Sequence, residues 1–329
     1  MLAAYAARLD RNDPLSALEV GERPDPEVPQ GWSRVHLRAA ALNRHDLWSL
    51  QGVGLAEDRL PMILGCDGAG VTDDGREVIL HSVIPSPGWS GDETLDPRRT
   101  LLSELYDGTL AEQVVVPTAN LVPKPEAMSW QLAGCLSTAW LTAYRMLFSN
   151  AGVSPGDTVL VQGAGGGVST ALVQLGSAAG LRMWVTSRDE ERGAQAVELG
   201  ADRAFASGER LPERVTAVME SVGAATWSHS VNSLNPGGTI VICGATSGDA
   251  PEKAELTKIF FKQLRVIGST MGSIGELRRL VEFVAREGIS PVVDQAVPLA
   301  QARDAFTRLA AGDSFGKIVL TMGEGDQAH

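Results

Sequence analysis

The sequence predicts an α/β protein in which a doubly wound parallel sheet follows a β-rich region. Three observations carry that expectation. From about Leu132, short β-branched runs alternate with helical patterns, the order that builds a parallel sheet with helices on both faces. One of those runs, Val159 to Gln162, leads into a glycine-rich turn and then an amphipathic stretch. Before Leu132, apolar and polar residues alternate and Pro and Gly interrupt often, which reads as short half-buried strands joined by turns.

In chain order, "WSRVHLRAAAL" and part of "AEQVVVPTANLV" read as strands. Between them "IPSPGWSGDETLDPRRT", Ile84 to Thr100, is a long polar loop. "VPKPEAMSWQLAG" reads as a linker entering a helix. The strands "TVLVQG", "MWVTSR", "TAVMES", "TIVICG" and "LRVIGS" follow, with helices between them. A helix from roughly Ile274 to Arg286 leads to "PVVDQAVPLAQARDAFTRLAAG", and "GKIVLTM" is the last strand. The tail "GEGDQAH" is expected to fray.

Composition bounds the function. A chain of 329 residues suits two domains. With 44% hydrophobic and 21% charged residues it has the balance of a globular enzyme. Its three cysteines, Cys66, Cys135 and Cys243, are too few and too scattered for a disulfide framework, which fits a reducing cytoplasm. "MLAAYAARLDRNDP" lacks the apolar core of a signal peptide, and no apolar run reaches membrane-spanning length. A net charge of −12 repels phosphate backbones, so nucleic acid is not the expected partner. A phosphorylated ligand needs locally placed arginines and backbone amides.

"DTVLVQGAGGGVSTALVQLGSAAG" supplies the amides. Gly163, Gly165, Gly166 and Gly167 permit a tight turn and close approach of backbone to a pyrophosphate. The helix that follows, with Val168, Ala171, Leu172 and Leu175 on one face, offers free N–H groups and a partial positive charge. The next strand ends in Ser187 and Arg188, with Arg192 one turn on. No carboxylate stands at that strand end to accept from a ribose 2′-hydroxyl, and two arginines can pair with a 2′-phosphate. NADPH is therefore expected over NADH. Asp189, Glu190 and Glu191 fall where a helix begins and read as partners of its dipole.

The stretches "AAALNRHDLW", "LPMILGCDGAGV", "LAEQVVVPTANLVPKP", "LVQGAGGGVSTALVQLGSAAG", "LNPGGTIVICGATSG" and "FGKIVLT", in this order, resemble the medium-chain dehydrogenase/reductase superfamily. Within it they are similar to the zinc-lacking quinone oxidoreductase-like branch, over nearly the whole chain. The resemblance implies a GroES-like catalytic domain over 1–122, to which 271–329 return, and an NADP-binding Rossmann domain over 123–270, with the active site in the cleft. It implies hydride transfer from NADPH to a quinone or an α,β-unsaturated carbonyl. It also implies a homodimer, with an edge strand near "LRVIGS" pairing across a two-fold axis.

Zinc-dependent relatives carry a Cys in the segment matching "ALNRHD", a His-Glu pair at "GCDGAG" and a further Cys near "AGCLST". Here Asn43, Cys66, Asp67 and Gly134 stand at those positions, and the loop Ile84 to Asp107 has no cysteine for a second zinc site. No metal is expected, and Cys66 reads as a small buried hydrophobe. An unorthodox site from His45, Cys66 and Asp67 stays open, and with it a zinc-retaining alcohol dehydrogenase.

Without a Lewis acid, hydrogen-bond donors must stabilise the charge that develops on substrate oxygen. Asn43 is the first candidate by its place in the matched motif, with His45, Asp46 and Trp48 nearby. At Trp48 several quinone reductases show a tyrosine, so a phenolic donor is missing and water is an alternative proton source. Thr138 is a candidate neighbour of the nicotinamide. Ser221 in "SVG", Gly244, Ala245 and Thr246 in "GATS", and Met271 and Gly272 in "STMGS" belong to turns at strand ends, where ligands bind open parallel sheets. Lys317 reaches the cleft or caps a strand. Phe260 and Phe261 read as packing, with a cleft-lining role allowed by the resemblance. A non-catalytic NADPH-binding redox sensor is the remaining alternative.

Overall fold

The structure is a computed structural model, and it describes residues 1–323. The expected frayed tail lies, from residue 324 on, outside the described residues. The chain forms two compact units: Met1–Ala139 with the chain from Ser273 onward, and Trp140–Gly272. The segment 123–139 packs in the first unit, where the helix Trp130–Ala133 lies on the strand Trp32–Ala41.

The first unit is built on a mixed sheet. Its order is Leu121–Pro123, Glu77–Leu80, Ala69–Thr72, Trp32–Ala41, Lys317–Thr321 and Val293–Pro298, with Gln113–Pro117 also on Trp32–Ala41. Along Trp32–Ala41 the side chains of Val35, Leu37 and Ala39 are buried while His36 and Arg38 face water, the period of two that the sequence shows. A second sheet joins Leu18–Glu22, Leu2–Ala6 and Met62–Ile63. Leu37, Leu64, Leu110, Phe306 and Leu320 fill the core of this unit. The loop after Ile84 carries one short helical turn, Glu93–Leu95, and returns as Thr100–Leu101.

The second unit is a six-stranded parallel sheet in the order Arg203–Ala206, Arg182–Ser187, Thr158–Val161, Val215–Glu220, Leu234–Ile242 and Arg265–Gly268. The direction of winding reverses between Thr158–Val161 and Val215–Glu220, which makes the carboxyl ends of those two strands the switch point. Leu160, Trp184, Val218 and Ile240 fill its core. Five of the six strands match the expected runs. Arg203–Ala206 does not, because it is a short edge strand with no fully buried residue and so carries no apolar run. Phe260 and Phe261 depart from the packing reading: they are 63% and 75% exposed within the chain, at the end of the helix Leu256–Phe261. Among the described residues no helix is long and apolar enough to cross a membrane.

Candidate active site

Strand register assembles a polar cluster in the first unit. Antiparallel pairing sets Val319 opposite Ala41, and two residues further that register sets Lys317 opposite Asn43. The same central strand pairs Ala39 with Ala69, which brings Asp67 alongside. Lys317 is 3% exposed and Asp67 not at all. The Lys317 ammonium donates to Leu42 O at 2.8 Å, Asn43 Oδ1 at 2.6 Å and Asp67 Oδ2 at 2.9 Å. Three donors meet three acceptors, so the ammonium is satisfied. The Asn43 amide donates to Asp67 Oδ2 at 2.9 Å and to Ala41 O at 3.2 Å. An ammonium only donates and a carboxylate only accepts, so these partners fix which way the amide faces.

Asp46 joins the cluster from the first turn of the helix Arg44–Leu50, where its Oδ2 accepts from Asn43 N–H at 2.7 Å. Burial pushes its pKa up to about 7, while the Asn43 amide and the Lys317 ammonium favour its charge. Asp46 Oδ1 and Asp67 Oδ1 are buried without a hydrogen-bond partner. The cluster therefore holds two carboxyl groups, one ammonium and one proton that titrates near neutrality.

His45 points elsewhere, with Nε2 3.5 Å from Ser49 Oγ and 3.9 Å from Glu104 Oε1. Burial lowers its pKa and Glu104 opposes that. Glu104 carried no signal of its own in the sequence, since "LSELYDG" has no periodicity. Its indirect mark is Gly54, at φ +80°, where a Cβ would stand 2.6 Å from Glu104 Oε1. Trp48 lies on the outer face of its helix, 37% exposed, and is not part of the core. Thr138 lies in a π-helical stretch, Leu136–Trp140, and its hydroxyl is buried with no partner.

The second unit presents the glycine loop at the switch point. Gly163 and Gly165 take φ of +85° and +91°, conformations that favour glycine. Gly163 N–H is turned inward, onto Thr186 Oγ1 at 3.1 Å. Gly166 caps the helix Gly167–Ala178, and the amides of Gly165, Gly166, Gly167 and Val168 find no acceptor among the described residues. Those are the orphan donors of a helix start, suited to an anion. Val168 is only half-buried, whereas Ala171, Leu172 and Leu175 are buried. Ser187 ends its strand and Arg188 follows it. Asp189 caps the helix Glu190–Glu198, accepting from Glu191 N at 2.9 Å and Arg192 N at 3.4 Å. The acids after Arg188 are thus cap and first-turn residues.

The turns "SVG" and "GATS" are knitted together. Ser221 O accepts from Thr246 N and Thr246 Oγ1, each at 3.3 Å, and Val222 O accepts from Ser247 N at 2.7 Å. A Cβ on Gly244 would come 3.3 Å from Ser221 O, which places Gly244 and Ala245 against the same turn. Met271 is buried at φ +51°, beside Gly272 at the end of this unit. Lys317, expected from the sequence to reach the cleft and the cofactor or to cap a strand, has its ammonium engaged in the cluster of the first unit.

Residues 29–126 match the family model "Alcohol dehydrogenase GroES-like domain", and residues 167–286 match "Zinc-binding dehydrogenase". The zinc-type alcohol dehydrogenase-like protein YogA of Leptosphaeria maculans is 30% identical, over 88% of this chain and 90% of that protein. The chain belongs to the medium-chain dehydrogenase/reductase superfamily. Acryloyl-coenzyme A reductase of Metallosphaera sedula is also 30% identical, over 92% of this chain and 96% of that enzyme. A crystal structure of an NAD-dependent alcohol dehydrogenase superposes with a TM-score of 0.91 at 34% identity, covering 98% of this chain and all of that one. By family the chain is an oxidoreductase.

Part of this superfamily binds zinc, and the residues at the matched positions here do not fit it. Asn43 offers an amide, and one oxygen of Asp67 is taken by the Lys317 ammonium. Cys66 is wholly buried, burial pushes its pKa up, and its thiol donates to Leu102 O at 3.2 Å. At Gly134 a Cβ would meet Ala39 O at 2.9 Å, so no ligating side chain enters there. Among the described residues no group of three or more His, Cys, Asp or Glu could hold a metal ion.

Proposed function

We propose that this oxidoreductase binds NADPH on the glycine loop and reduces a quinone or an α,β-unsaturated carbonyl compound, with no zinc in the reaction. The observation that carries this reading is the Lys317 ammonium fixed between Asn43 and Asp67. A protein cation stands among the residues that match metal-ligand positions and is paired with one of them, so those residues are engaged with one another and not with a metal. The 30% identity to an enzyme named for a conjugated thioester, acryloyl-coenzyme A, supports the substrate class.

When bound, the nicotinamide supplies a hydride. The chain's own residues do the rest. The open amides of Gly165 to Val168 receive the diphosphate, and Arg188 with Arg192 receives the 2′-phosphate. In the first unit Lys317, paired with Asp67, fixes the Asn43 amide in place through Oδ1. Asp46 holds a proton near neutrality, and Lys317 and Asn43 both donate to Asp67 Oδ2. We further read the strand Arg265–Gly268 as the pairing edge of a homodimer. It ends its sheet, and Val266, Phe260 and Phe261 beside it are exposed.

The test is a turnover screen of metal-stripped protein against quinones, enones and enoyl thioesters, with primary and secondary alcohols as the competing panel. NADPH oxidation by a conjugated acceptor without added metal is the expected result. Alcohol oxidation that appears only on adding zinc would replace this reading with that of an alcohol dehydrogenase.

A further inference from the structure

A line of buried hydrogen bonds in the second unit lies behind the glycine loop and has no part in the chemistry described above. Gly163 N–H donates to Thr186 Oγ1 at 3.1 Å, and the Thr186 hydroxyl donates to Gln162 Oε1 at 2.7 Å. Gln162 Nε2 donates to Ser230 Oγ at 3.0 Å and faces His229 Nδ1 at 2.8 Å. The Ser230 hydroxyl donates to Glu220 Oε2 at 2.6 Å. Gln162, Thr186, Ser230 and Glu220 are all at most 1% exposed.

The direction of every bond in the line follows from its far end. Glu220 is surrounded by donors: Val222 N at 2.8 Å, Gly223 N at 3.0 Å and the Thr226 hydroxyl at 2.9 Å, besides Ser230. A carboxylate in that setting accepts only. Ser230 has spent its one proton on Glu220, so its oxygen must accept, and the amide of Gln162 must turn Nε2 towards it. Gln162 Oε1 then faces Thr186, which must donate. What Thr186 has left is a lone pair, and Gly163 N–H takes it. One carboxylate thus dictates, through three side chains, which way the first peptide of the glycine loop faces. The same carboxylate holds the 221–223 turn through Val222 and Gly223. Both segments leave the two strands that flank the switch point.

We propose that Glu220 and Gln162, acting through Ser230 and Thr186, are positioning residues for the dinucleotide, which none of the four touches. The proposal rests on the reading of the glycine loop as the dinucleotide site. A buried line in which each member orients the next is energetically coupled, and that coupling separates it from a set of independent packing residues.

The experiment measures NADPH and NADH dissociation constants by fluorescence for the full chain and for Thr186→Val, Thr186→Ser, Ser230→Ala and the Thr186→Val/Ser230→Ala pair. Thr186→Val keeps the volume and leaves Gly163 N–H without an acceptor. It also leaves Gln162 Oε1 without its donor, and should weaken both cofactors by about tenfold, since the loop peptide at Gly163 is no longer held. Thr186→Ser keeps the hydroxyl and should stay within about twofold. In a line already cut at Thr186, cutting at Ser230 adds little, so the double variant should bind within about twofold of Thr186→Val. Losses that add in full, or Thr186→Val binding like the unaltered protein, overturn the proposal. If Thr186→Val does not fold, Ser230→Ala decides: a loss of about threefold or more in both affinities supports the line, and unchanged affinities overturn it. Failure of the unaltered chain to bind either dinucleotide overturns the reading of the loop itself, and the positioning role with it.

Discussion

Replacing Asp46 by Asn tests the buried proton directly. Asp46 is wholly buried, and burial raises its pKa to about 7 in the fold against the ordinary 3.8. Between those values the folded state holds more protons than the unfolded one, so the group makes stability fall as pH rises. The full gap corresponds to about 4 kcal/mol, of which about 2–3 kcal/mol is lost between pH 5 and pH 8. Below the unfolded value the penalty is absent; above about pH 8 it is complete. Asp46→Asn has no such titration. Its carbonyl can still accept from Asn43 N–H, while its NH₂ must find an acceptor where Asp46 Oδ1 has no partner, at a cost of about 1–3 kcal/mol independent of pH. The assay is urea unfolding of both proteins at several pH values. The stability of Asp46→Asn minus that of the unaltered protein should rise by about 2–3 kcal/mol from pH 5 to pH 8. A difference that stays flat would show that Asp46 is not the proton store of the cluster.

Lys317→Met leaves Leu42 O and Asn43 Oδ1 without the ammonium donor and leaves Asp67 Oδ2 with the Asn43 amide but no cation, and should cost about 3–5 kcal/mol in urea unfolding together with most of the turnover; a loss under about 1 kcal/mol contradicts the cluster. Arg188→Asp should weaken NADPH by about 10- to 100-fold and leave NADH within about threefold, and equal losses for both would remove the 2′-phosphate role. Gly223→Ala sets a Cβ 2.5 Å from Gly248 O at φ +92° and should lower stability by more than about 2 kcal/mol, visible as a drop in thermal midpoint. Phe261→Glu should shift the protein towards the monomer in analytical ultracentrifugation at micromolar concentration, and an unchanged mass would dismiss the strand edge as the pairing surface.

Fold class was legible because it rests on periodicity. The runs at Val159, Met183, Ala217 and Ile240 are buried on both faces and read as strands without help from distant residues. The same logic explains the miss at Arg203–Ala206, whose place depends on pairing with Arg182–Ser187 and not on its own apolarity. Phe260 and Phe261 show the opposite failure, since apolar residues need not be inside the chain that carries them. In the candidate site, Asn43 and Asp67 were readable from short motifs. Their partner Lys317 was readable as a residue but not as a neighbour, because only sheet register brings it across 274 positions to Asn43. Glu104 and the Thr186–Gln162–Ser230–Glu220 line were not readable at all. Each depends on which way a side chain turns once its strand or loop is in place.

The first unit is written in two instalments. Its central strand, Trp32–Ala41, pairs with Ala69–Thr72 and Gln113–Pro117 from the same stretch of chain, but takes Lys317–Thr321 along Ala39–Ala41 only from beyond residue 272. During synthesis residues 140–272 leave the ribosome whole, while Asp67 and Asn43 emerge early and stay without their ammonium partner until the final strand arrives. A chain without residues 317–321 would keep all of residues 140–272 and lack the ammonium that Asn43 and Asp67 share.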